Sequence, residues 1–415
     1  MAEYQPLTPE TLGDRLSAVS AVADRLGGVC GDWTTREVGD GNLNLVFIVE
    51  GPRDTVIVKQ ALPYVRMVGD SWPMPLYRSF YEYQALTRQH QRDPGAVPRI
   101  LHHDADQALI VMEFLQPHII LRRKLIAGER VAGLGERLGA FCARTAFRGS
   151  ELSMQSADKK ADVALFSGNV EIPAITEALV FCDPYFEAEL NHHSAGLDPV
   201  VADLRADAEM KGQVQRLFTK FASNMETMLH GDLHTGSVMC TDRDTRVIDP
   251  EFSQYGPMGF DLGMLIANFL MAYISQPAHR GADLAAYQSW ILEVIDACVA
   301  TFRSTFSELW HSERTGMLYP RTLFEDQGQS SDAALQAKLD EIWVDAMGFC
   351  GIEMHRRVLS LAHNADFEEI EDPAVKVALE TQNLRVGQAL IKTAATVADC
   401  RQLHALVRSL TEAPQ

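Results

Sequence analysis

Two short acidic motifs lie near the middle of this 415-residue chain, and their side chains could bind a cation. H-G-D-L-H occupies residues 230–234 and V-I-D-P-E occupies residues 247–251, and apolar residues precede both acidic clusters. The apolar residues predict two short buried strands, which the turn-forming residues between the motifs could join as an antiparallel pair. We therefore expect Asp232 to lie close to Asp249 and Glu251.

Three neighbouring carboxylates predict a magnesium site. Carboxylates in one place repel one another unless a cation lies among them. Mg²⁺ prefers oxygen ligands, and proteins usually hold it through one or two carboxylates together with substrate phosphates. The alternative that spacing leaves open is a set of ordinary surface turn acids, which are common in a chain as acidic as this one.

Length and composition restrict the class of protein. A chain of this length is too long for one compact core, so we expect two lobes. The formal net charge of -19 argues against nucleic acid and anionic membrane surfaces as partners. Seven scattered cysteines without C-x-x-C spacing favour a reducing compartment. The first residues lack the basic and apolar regions of a signal peptide, so we expect a cytoplasmic protein.

The first part of the chain predicts a small sheet that carries a lysine. Thr8 is expected to cap a first helix, and residues 46–49 and 56–59 are expected to form a hairpin. The loop 39–44 is rich in Gly and Asn, which permit tight turns and leave backbone N–H groups free to approach phosphate oxygens. Lys59 ends the second strand. A plain hairpin turn and a strand lysine that reaches solvent are the alternatives.

Two further elements complete the first part. A helix over about residues 78–91 carries Glu82, which is a candidate ion-pair partner for Lys59 or an ordinary helix acid. Residues 109–115 predict a buried strand that ends before a proline. From the residues alone, this is a core strand that leads into an exit turn and has no further role.

The second part of the chain predicts a mainly helical lobe. The apolar run at residues 262–274 is too short to span a bilayer and predicts a buried helix, with Asp261 suited to its N-cap. Residues 147–201 show weak periodicity and are interpreted as a variable insertion. The basic cluster at residues 122–124 is interpreted as a solvated helix face. Residues 374–410 predict one long helical segment.

Residues 343–361 predict a helix that carries two adjacent arginines, Arg356 and Arg357. Adjacent residues on a helix point about 100° apart. At most one of the two arginines should therefore lie squarely in a site, unless the helix ends or bends there. The alternative is an exposed, charged helix face.

These motifs together resemble a known family of small-molecule kinases. H-G-D-L-H followed by I-D-P-E resembles the aminoglycoside phosphotransferase-like branch of the protein-kinase-like fold. H-G-D-L-H-T-G-S-V at residues 230–238, G-D-G-N-L-N-L-V-F at 39–47 and G-D-S-W-P-M at 69–74 are similar to the methylthioribose kinase family. The matching stretches run from about residue 38 to about residue 360, so the resemblance covers most of the chain.

The resemblance implies an α+β, two-lobe protein-kinase-like fold. Its N-terminal lobe, residues 1–115, is expected to have an antiparallel sheet and to bind nucleotide, and its mainly helical C-terminal lobe, residues 116–415, to bind substrate and catalyse. The implied reaction is ATP-dependent phosphorylation of the 1-hydroxyl of 5-methylthioribose in methionine salvage, with Mg²⁺ as cofactor. The family also implies a homodimer.

The resemblance assigns roles to residues of this chain. It implies that Asp232 orients the acceptor hydroxyl and accepts its proton, and that Asp249 and Glu251 hold Mg²⁺. It implies that Asp261 accepts hydrogen bonds from the backbone of the catalytic loop. The residues implied to bind substrate are Asp232, Trp72, Arg356 and Arg357. The residues implied to contact ATP are Gly41, Asn42, Asn44, Lys59, Glu82, Glu113, Phe114, Leu115, Asp249, Pro250 and Glu251.

One departure and two alternatives remain at this stage. Many relatives carry a metal-binding Asn five residues after the catalytic Asp, but this chain has Ser237, which puts a second Mg²⁺ in doubt. The protein could be another kinase of the same branch that acts on choline, homoserine or an aminoglycoside. It could also be a pseudokinase, although the intact Lys59, Asp232, Asp249 and Glu251 argue against that alternative.

Overall fold

A computed structural model describes residues 4–38, 43–65 and 69–412. The chain divides into two compact units, Met1–His118 with Arg246–Ser253 and Ile119–Thr245 with Gln254–Gln415. The segment Arg246–Ser253 carries Asp249 and Glu251, and it belongs to the first unit although it lies far along the chain. The expected N-terminal lobe, residues 1–115, does not include this segment.

The first unit contains a five-stranded antiparallel sheet, in which the strands lie in the order β1 (Thr34–Glu37), β2 (Asn44–Glu50), β3 (Thr55–Ala61), β7 (Leu109–Glu113) and β6 (Ile100–Asp104). Its hairpin, β2 to β3, is the one predicted from the sequence. The elements of this unit are α1 (Pro9–Ser17), α2 (Ser20–Leu26), β1 (Thr34–Glu37), β2 (Asn44–Glu50), β3 (Thr55–Ala61), β4 (Tyr64–Val65), β5 (Gly69–Pro73), α3 (Arg78–Arg92), β6 (Ile100–Asp104) and β7 (Leu109–Glu113).

The core of the first unit explains how β3 presents its lysine. Leu12 and Leu16 of α1 and Leu26 of α2 belong to one apolar cluster with Val56 and Val58 of β3. Successive side chains of a strand point to opposite faces, so the residue after Val58 lies on the other face of the sheet. Thr8 caps α1 as predicted, with its hydroxyl accepting the Thr11 N–H.

The second unit is mainly helical, as predicted. Its elements are β8 (Ile119–Ile120), α4 (Leu121–Ala127), α5 (Leu134–Arg148), α6 (Ser156–Phe166), α7 (Glu171–Phe181), α8 (Asp198–Ala206), α9 (Ala208–Ser223), β9 (Thr227–Met228), β10 (Val238–Cys240), β11 (Thr245–Val247), β12 (Tyr255–Gly256), α10 (Gly259–His279), α11 (Leu284–Ser312), α12 (Asp332–Leu359), α13 (Ala365–Glu368), α14 (Pro373–Thr393) and α15 (Cys400–Thr411). Strand β11 begins in this unit and continues into the first.

The central helix of the second unit is α10, which is buried along most of its length and packs against α12. The predicted buried helix at residues 262–274 is therefore confirmed. The predicted N-cap role of Asp261 is wrong, because α10 begins at Gly259 and its N-cap is Met258. Asp261 lies in the first turn instead, and its side chain serves a different purpose that is described below.

Three further predictions are corrected by the second unit. The interpretation of residues 147–201 as an insertion with weak periodicity missed the regular helices α6, α7 and α8. The C-terminal segment forms two helices, because α14 ends at Thr393 and α15 starts at Cys400. The strand before H-G-D-L-H, β9, pairs with β12 and not with the strand before the second motif.

Among the described residues, no single helix has the length and apolar character needed to cross a membrane. The bent pair Ser156–Phe166 and Glu171–Tyr185 meets that test only as a combination, on length and composition.

Candidate active site

Lys59 lies among three carboxylates in the first unit. Its Nζ is 2.9 Å from Glu82 Oε1 and 3.9 Å from Glu251 Oε2, and it also donates a hydrogen bond to Asp249 Oδ1. The predicted ion pair between Lys59 and Glu82 is therefore present. It forms because Lys59 points away from the α1 and α2 face of the sheet, while Glu82 lies on the buried side of α3.

Burial and charge act in opposite directions on this cluster. Burial acts to lower the pKa of Lys59, but Asp249, Glu82 and Glu251 outweigh it and raise that pKa above its ordinary value. Burial raises the pKa of Glu82 to about 7, against the opposing effect of Lys59. Lys59 therefore stays charged and is the cation that the three carboxylates share in this structure.

Glu251 is held by residues that are distant in sequence. Asn44 Nδ2 donates to Glu251 Oε2 at 2.9 Å, and Arg78 Nη1 lies 3.5 Å from the same oxygen. Arg78 is almost completely buried and also donates to Asn44 Oδ1 at 2.6 Å and to the Leu62 carbonyl at 3.0 Å. The sequence offered no signal for Arg78, because it looks like an ordinary first residue of an exposed helix.

The donor set of this cluster fits a hard divalent cation. One carboxylate oxygen each from Glu82, Asp249 and Glu251 lies within 4.8 Å of the others. The Asp249 side chain is 48% exposed and can turn towards a ligand, whereas Glu82 and Glu251 are buried. Asp249 has a backbone φ of 67°, in the left-handed region that Asp tolerates better than most residues. That conformation places the exposed carboxylate at the end of β11.

The other predicted nucleotide contacts remain predictions. Gly41 and Asn42 lie outside the described residues. The N–H of Glu113 donates to the Arg99 carbonyl at 2.9 Å, and the adenine contact predicted for the backbone of Glu113, Phe114 and Leu115 stays a prediction. Trp72, for which the prediction is contact with the substrate and not with nucleotide, is half-buried on β5. The main chain of Pro250 accepts the Ser253 N–H at 3.2 Å.

The H-G-D-L-H loop of the second unit is held through its backbone. Asp261 accepts the N–H of His230 at 2.7 Å and the N–H of Gly231 at 3.0 Å, as the resemblance implied. Gly231 has a φ of 87°, a conformation that glycine adopts without steric cost. Ser237 Oγ donates to the Asp232 carbonyl at 2.8 Å, so this residue also supports the loop that presents Asp232.

Both arginines of α12 contact the carboxylate of Asp232. Arg356 Nη2 and Arg357 Nη2 each lie 2.9 Å from Asp232 Oδ1. Only one arginine was expected to lie squarely in a site unless the helix ends or bends there, and that exception applies here. The Nε atoms of both arginines bind Glu353, at 2.6 Å, and α12 ends at Leu359, so two long side chains turn to one side of the last helical turn.

Arg122 was missed by the sequence analysis, which placed it on a solvated face. Its Nη2 donates to Asn268 Oδ1 at 2.9 Å and lies 3.2 Å from His234 Nδ1, and its Nε lies 3.2 Å from Asp366 Oδ2. Of its two neighbours, Lys124 is also buried and only Arg123 is exposed. A run of three basic residues gave no sign that its members point in different directions.

Asp232 belongs to the second unit, while Asp249 and Glu251 belong to the first. The expected proximity of Asp232 to these two acids stays a prediction. Each unit by itself contains a buried ionic cluster built from the predicted residues, one around Lys59 and one around Asp232.

The comparisons with known proteins agree with the chemistry of these clusters. The family described as "Phosphotransferase enzyme family" matches residues 34–298, which is more than half of the chain. A sheet-bearing unit with a Lys-Glu pair and a helical unit with a loop-borne aspartate define a protein-kinase-like phosphotransferase, so the predicted fold class is confirmed.

Relatives of high coverage narrow the class further. "Methylthioribose kinase 1" from Oryza sativa is 40% identical over 395 residues, which cover 94% of this chain and 92% of the relative. "Methylthioribose kinase" from Escherichia coli (strain S88) is 40% identical over 402 residues, which cover 94% of each. The chain belongs to the methylthioribose kinase family.

A solved structure of a choline/ethanolamine kinase family protein from Mesorhizobium loti is similar over 96% of this chain and 99% of its own, with 14% identity and a TM-score of 0.45. Those values are too low to bear on substrate, so family membership rests on the sequence relatives.

Proposed function

We propose that this protein transfers the γ-phosphoryl group of ATP to the 1-hydroxyl of 5-methylthioribose, giving 5-methylthioribose 1-phosphate and ADP in methionine salvage. The observation that carries the proposal is similarity to methylthioribose kinases over nearly the full length of the chain. The intact ionic clusters around Lys59 and Asp232 support a catalytically active member of the family.

On the nucleotide side, Lys59 is the cation available to contact the phosphates of ATP. Its partner Glu82 is buried and keeps the ammonium group in place. Asp249 and Glu251 would hold Mg²⁺, since their oxygens are the ligands that this ion prefers. When bound, the ion supplies neutralisation of the charge on the phosphate oxygens.

On the acceptor side, Asp232 aligns the attacking hydroxyl and accepts its proton. Arg356 and Arg357 can offer guanidinium N–H groups to substrate oxygens and to the charge of the transferring phosphoryl group. The cluster contains three guanidinium groups, which belong to Arg122, Arg356 and Arg357, and three carboxylates, which belong to Asp232, Glu353 and Asp366. This balance favours a neutral polyol over a cationic acceptor.

The test is an ADP-release assay with ATP and a panel of acceptors: methylthioribose, choline, homoserine and kanamycin. We expect turnover with methylthioribose and none of practical size with the two cations, choline and kanamycin. Phosphorus NMR of the product should show a phosphate ester on the anomeric carbon. Efficient phosphorylation of choline or kanamycin, or of homoserine in preference to methylthioribose, would overturn the substrate assignment.

We also propose a cytoplasmic homodimer, as the family resemblance implies. Light scattering coupled to gel filtration measures the mass in solution, and a monomeric mass at micromolar concentration would contradict the dimer.

A further inference from the structure

The carboxylate of Asp232 has two oxygens in different surroundings. Each oxygen of an ionised carboxylate offers about two lone pairs to hydrogen-bond donors. Arg356 Nη2 and Arg357 Nη2 both lie 2.9 Å from Oδ1, so the hydrogen-bonding capacity of that oxygen is used. Oδ2 lies 3.3 Å from His234 Nε2. Among the described residues, one lone pair of Oδ2 therefore remains for a ligand.

The protonation of His234 follows from the groups around its other nitrogen. Gly236 N–H donates to Nδ1 at 2.8 Å, and Arg122 Nη2 lies 3.2 Å from the same atom. Both of these groups can only donate, so Nδ1 must be an acceptor without a proton. In a neutral imidazole the proton is then on Nε2, which points it towards Asp232 Oδ2.

The ring of His234 is also fixed sterically. A Cβ atom placed on Gly236 would lie 2.5 Å from His234 Cε1 and 2.7 Å from Nδ1, so the ring packs directly on the glycine backbone. Burial lowers the pKa of His234 to about 4, which keeps the ring neutral at physiological pH. The close contact with Gly236 prevents the ring from flipping, and the neutral ring carries only one N–H. The positions of Nδ1 and Nε2 are therefore fixed.

Arg122 is the residue that connects this arrangement to the rest of the unit. It reaches from α4 to Asn268 on α10 and to the buried Asp366 on α13, while its Nε donates to Thr235 Oγ1 at 3.1 Å. These contacts hold its guanidinium beside Nδ1 of His234.

We propose that His234, held by Arg122, is a positioning residue that leaves Oδ2 of Asp232 as the atom that receives the acceptor hydroxyl. This inference rests on the proposed function, since it concerns the acceptor of that reaction. As the bond from the acceptor oxygen to the γ-phosphorus forms and the bond to the ADP leaving oxygen breaks, the hydroxyl proton passes to Oδ2. The two arginines keep Oδ1 out of that role.

The variants His234→Ala and His234→Gln separate positioning from packing. Alanine removes the donor to Oδ2, so we expect kcat to fall roughly 10- to 100-fold, the range for a misaligned reacting group. The KM for ATP should change less than about twofold, because His234 does not contact nucleotide in this assignment. Glutamine carries an N–H donor at a similar distance along the side chain and should restore most of the lost kcat.

Two control variants remove side chains of the second unit that are not part of the contacts among Arg122, His234 and Asp232. Arg123→Ala changes the exposed residue next to Arg122, which pairs with Glu369. His363→Ala removes another histidine of the same unit, one that contacts Glu368 at 3.0 Å. Both should keep the wild-type kcat. Thermal unfolding of every variant shows whether the measured protein is folded.

A second measurement does not depend on activity or on the folding of the alanine variant. Nitrogen NMR of histidine-labelled wild-type protein, with His234→Gln used to assign the signal, reports which ring nitrogen carries the proton. We expect the neutral Nε2–H form at pH 7, and a proton on Nδ1 would overturn the proposal. The proposed function fails separately, if wild-type protein does not phosphorylate methylthioribose. An active wild type with a fully active, folded His234→Ala overturns only the positioning role.

Discussion

At the scale of single residues, the site depends on how the charge of Asp232 is held. Burial acts to raise the pKa of Asp232, but His234 and the guanidinium groups of Arg357 and Arg356 outweigh it and keep that pKa well below its ordinary range. Asp232 is therefore ionised at physiological pH and is a weak base. This suits a loose phosphoryl transfer, in which alignment of the acceptor contributes more than early removal of its proton.

Replacing Asp232 by Asn should reduce kcat by at least ~10²-fold, since the amide cannot accept the proton and lacks the negative charge that pairs with the two arginines. ATP binding should stay close to wild type, because in the proposed reaction the carboxylate aligns the acceptor and does not hold nucleotide. Steady-state kinetics and calorimetric titration with ATP measure the two effects. A wild-type kcat in the variant would show that Asp232 is not the catalytic residue.

Asp249→Ala and Glu251→Ala should raise the Mg²⁺ concentration needed for half-maximal activity and weaken Mg·ATP binding, because each removes an oxygen that we propose as a ligand of the ion. Activity measured against Mg²⁺ concentration gives this value for each variant. Asp54→Ala is a matched control, since Asp54 is a carboxylate of similar exposure in the same unit, 43% against 48%, and pairs with Arg25. An unchanged Mg²⁺ requirement in both site variants would make these acids structural.

At the scale of elements, the last turn of α12 acts as one unit. Glu353 is completely buried and receives an N–H from Arg356, Arg357 and Asn268, at 2.6, 2.6 and 3.2 Å. Charge from both arginines outweighs burial and lowers the pKa of Glu353. Glu353 thus binds the Nε atoms of both arginines on one side of the helix, and this orients their Nη2 atoms towards Asp232.

Glu353→Gln should therefore disturb both arginines at once. Breaking a buried ion pair by removing one charged partner typically costs about 3–5 kcal/mol. We expect a lower unfolding temperature and a reduced kcat, because neither guanidinium keeps its orientation. Glu341→Gln is the control on the same helix, since Glu341 is exposed and pairs with Lys338 at 3.1 Å, and it should change stability by less than about 0.5 kcal/mol. Equal stability and activity for the two variants would contradict the role of Glu353.

At the scale of the whole molecule, buried ionisable groups couple stability to pH with opposite signs. His355 lies beside the site arginines on α12, is completely buried, and contacts the Leu384 carbonyl through Nε2 at 2.9 Å. Burial lowers its pKa from 6.5 to about 4. Buried acids such as Glu82, whose pKa is raised to about 7, act in the opposite direction. The contribution of one group to the pH dependence of stability is therefore obtained only by comparing wild type with a variant that lacks that group.

The contribution of His355 to stability should be present above pH 6.5 and lost as the pH falls towards 4. In this interval the unfolded state binds a proton that the folded state excludes, so acid favours unfolding, by up to about 3 kcal/mol. His355→Gln removes the titrating group, so the difference in unfolding temperature between wild type and variant should shrink or reverse over this range. Unfolding followed by helical circular dichroism measures it. A difference that does not depend on pH would contradict the buried, neutral state of His355.

Local sequence patterns were enough to determine much of this protein. The cap at Thr8, the β2 to β3 hairpin and the buried helix α10 follow from short-range preferences and periodicity, which act within a few residues. For Glu82 the sequence left two alternatives open, a partner of Lys59 or an ordinary helix acid, and the structure shows the pair. The reaction was named from the resemblance of these contiguous motifs to a known family, since their spacing alone left ordinary surface acids as an alternative.

Contacts between residues far apart in sequence were decided only by the tertiary structure. Arg78 reaches Glu251 across 173 positions, and Arg122 reaches Asn268 across 146. No local pattern records such a contact, because a long flexible side chain can leave its helix in several directions and the surrounding charges select one. The two arginines of α12 combine both kinds of contact. Glu353 binds both Nε atoms from three and four residues earlier on the same helix, whereas their shared contact with Asp232 joins residues 124 and 125 positions apart. The tautomer of His234 is set by one local donor, the Gly236 N–H two residues further along the chain, and by Arg122 of α4, which only the fold brings beside the ring.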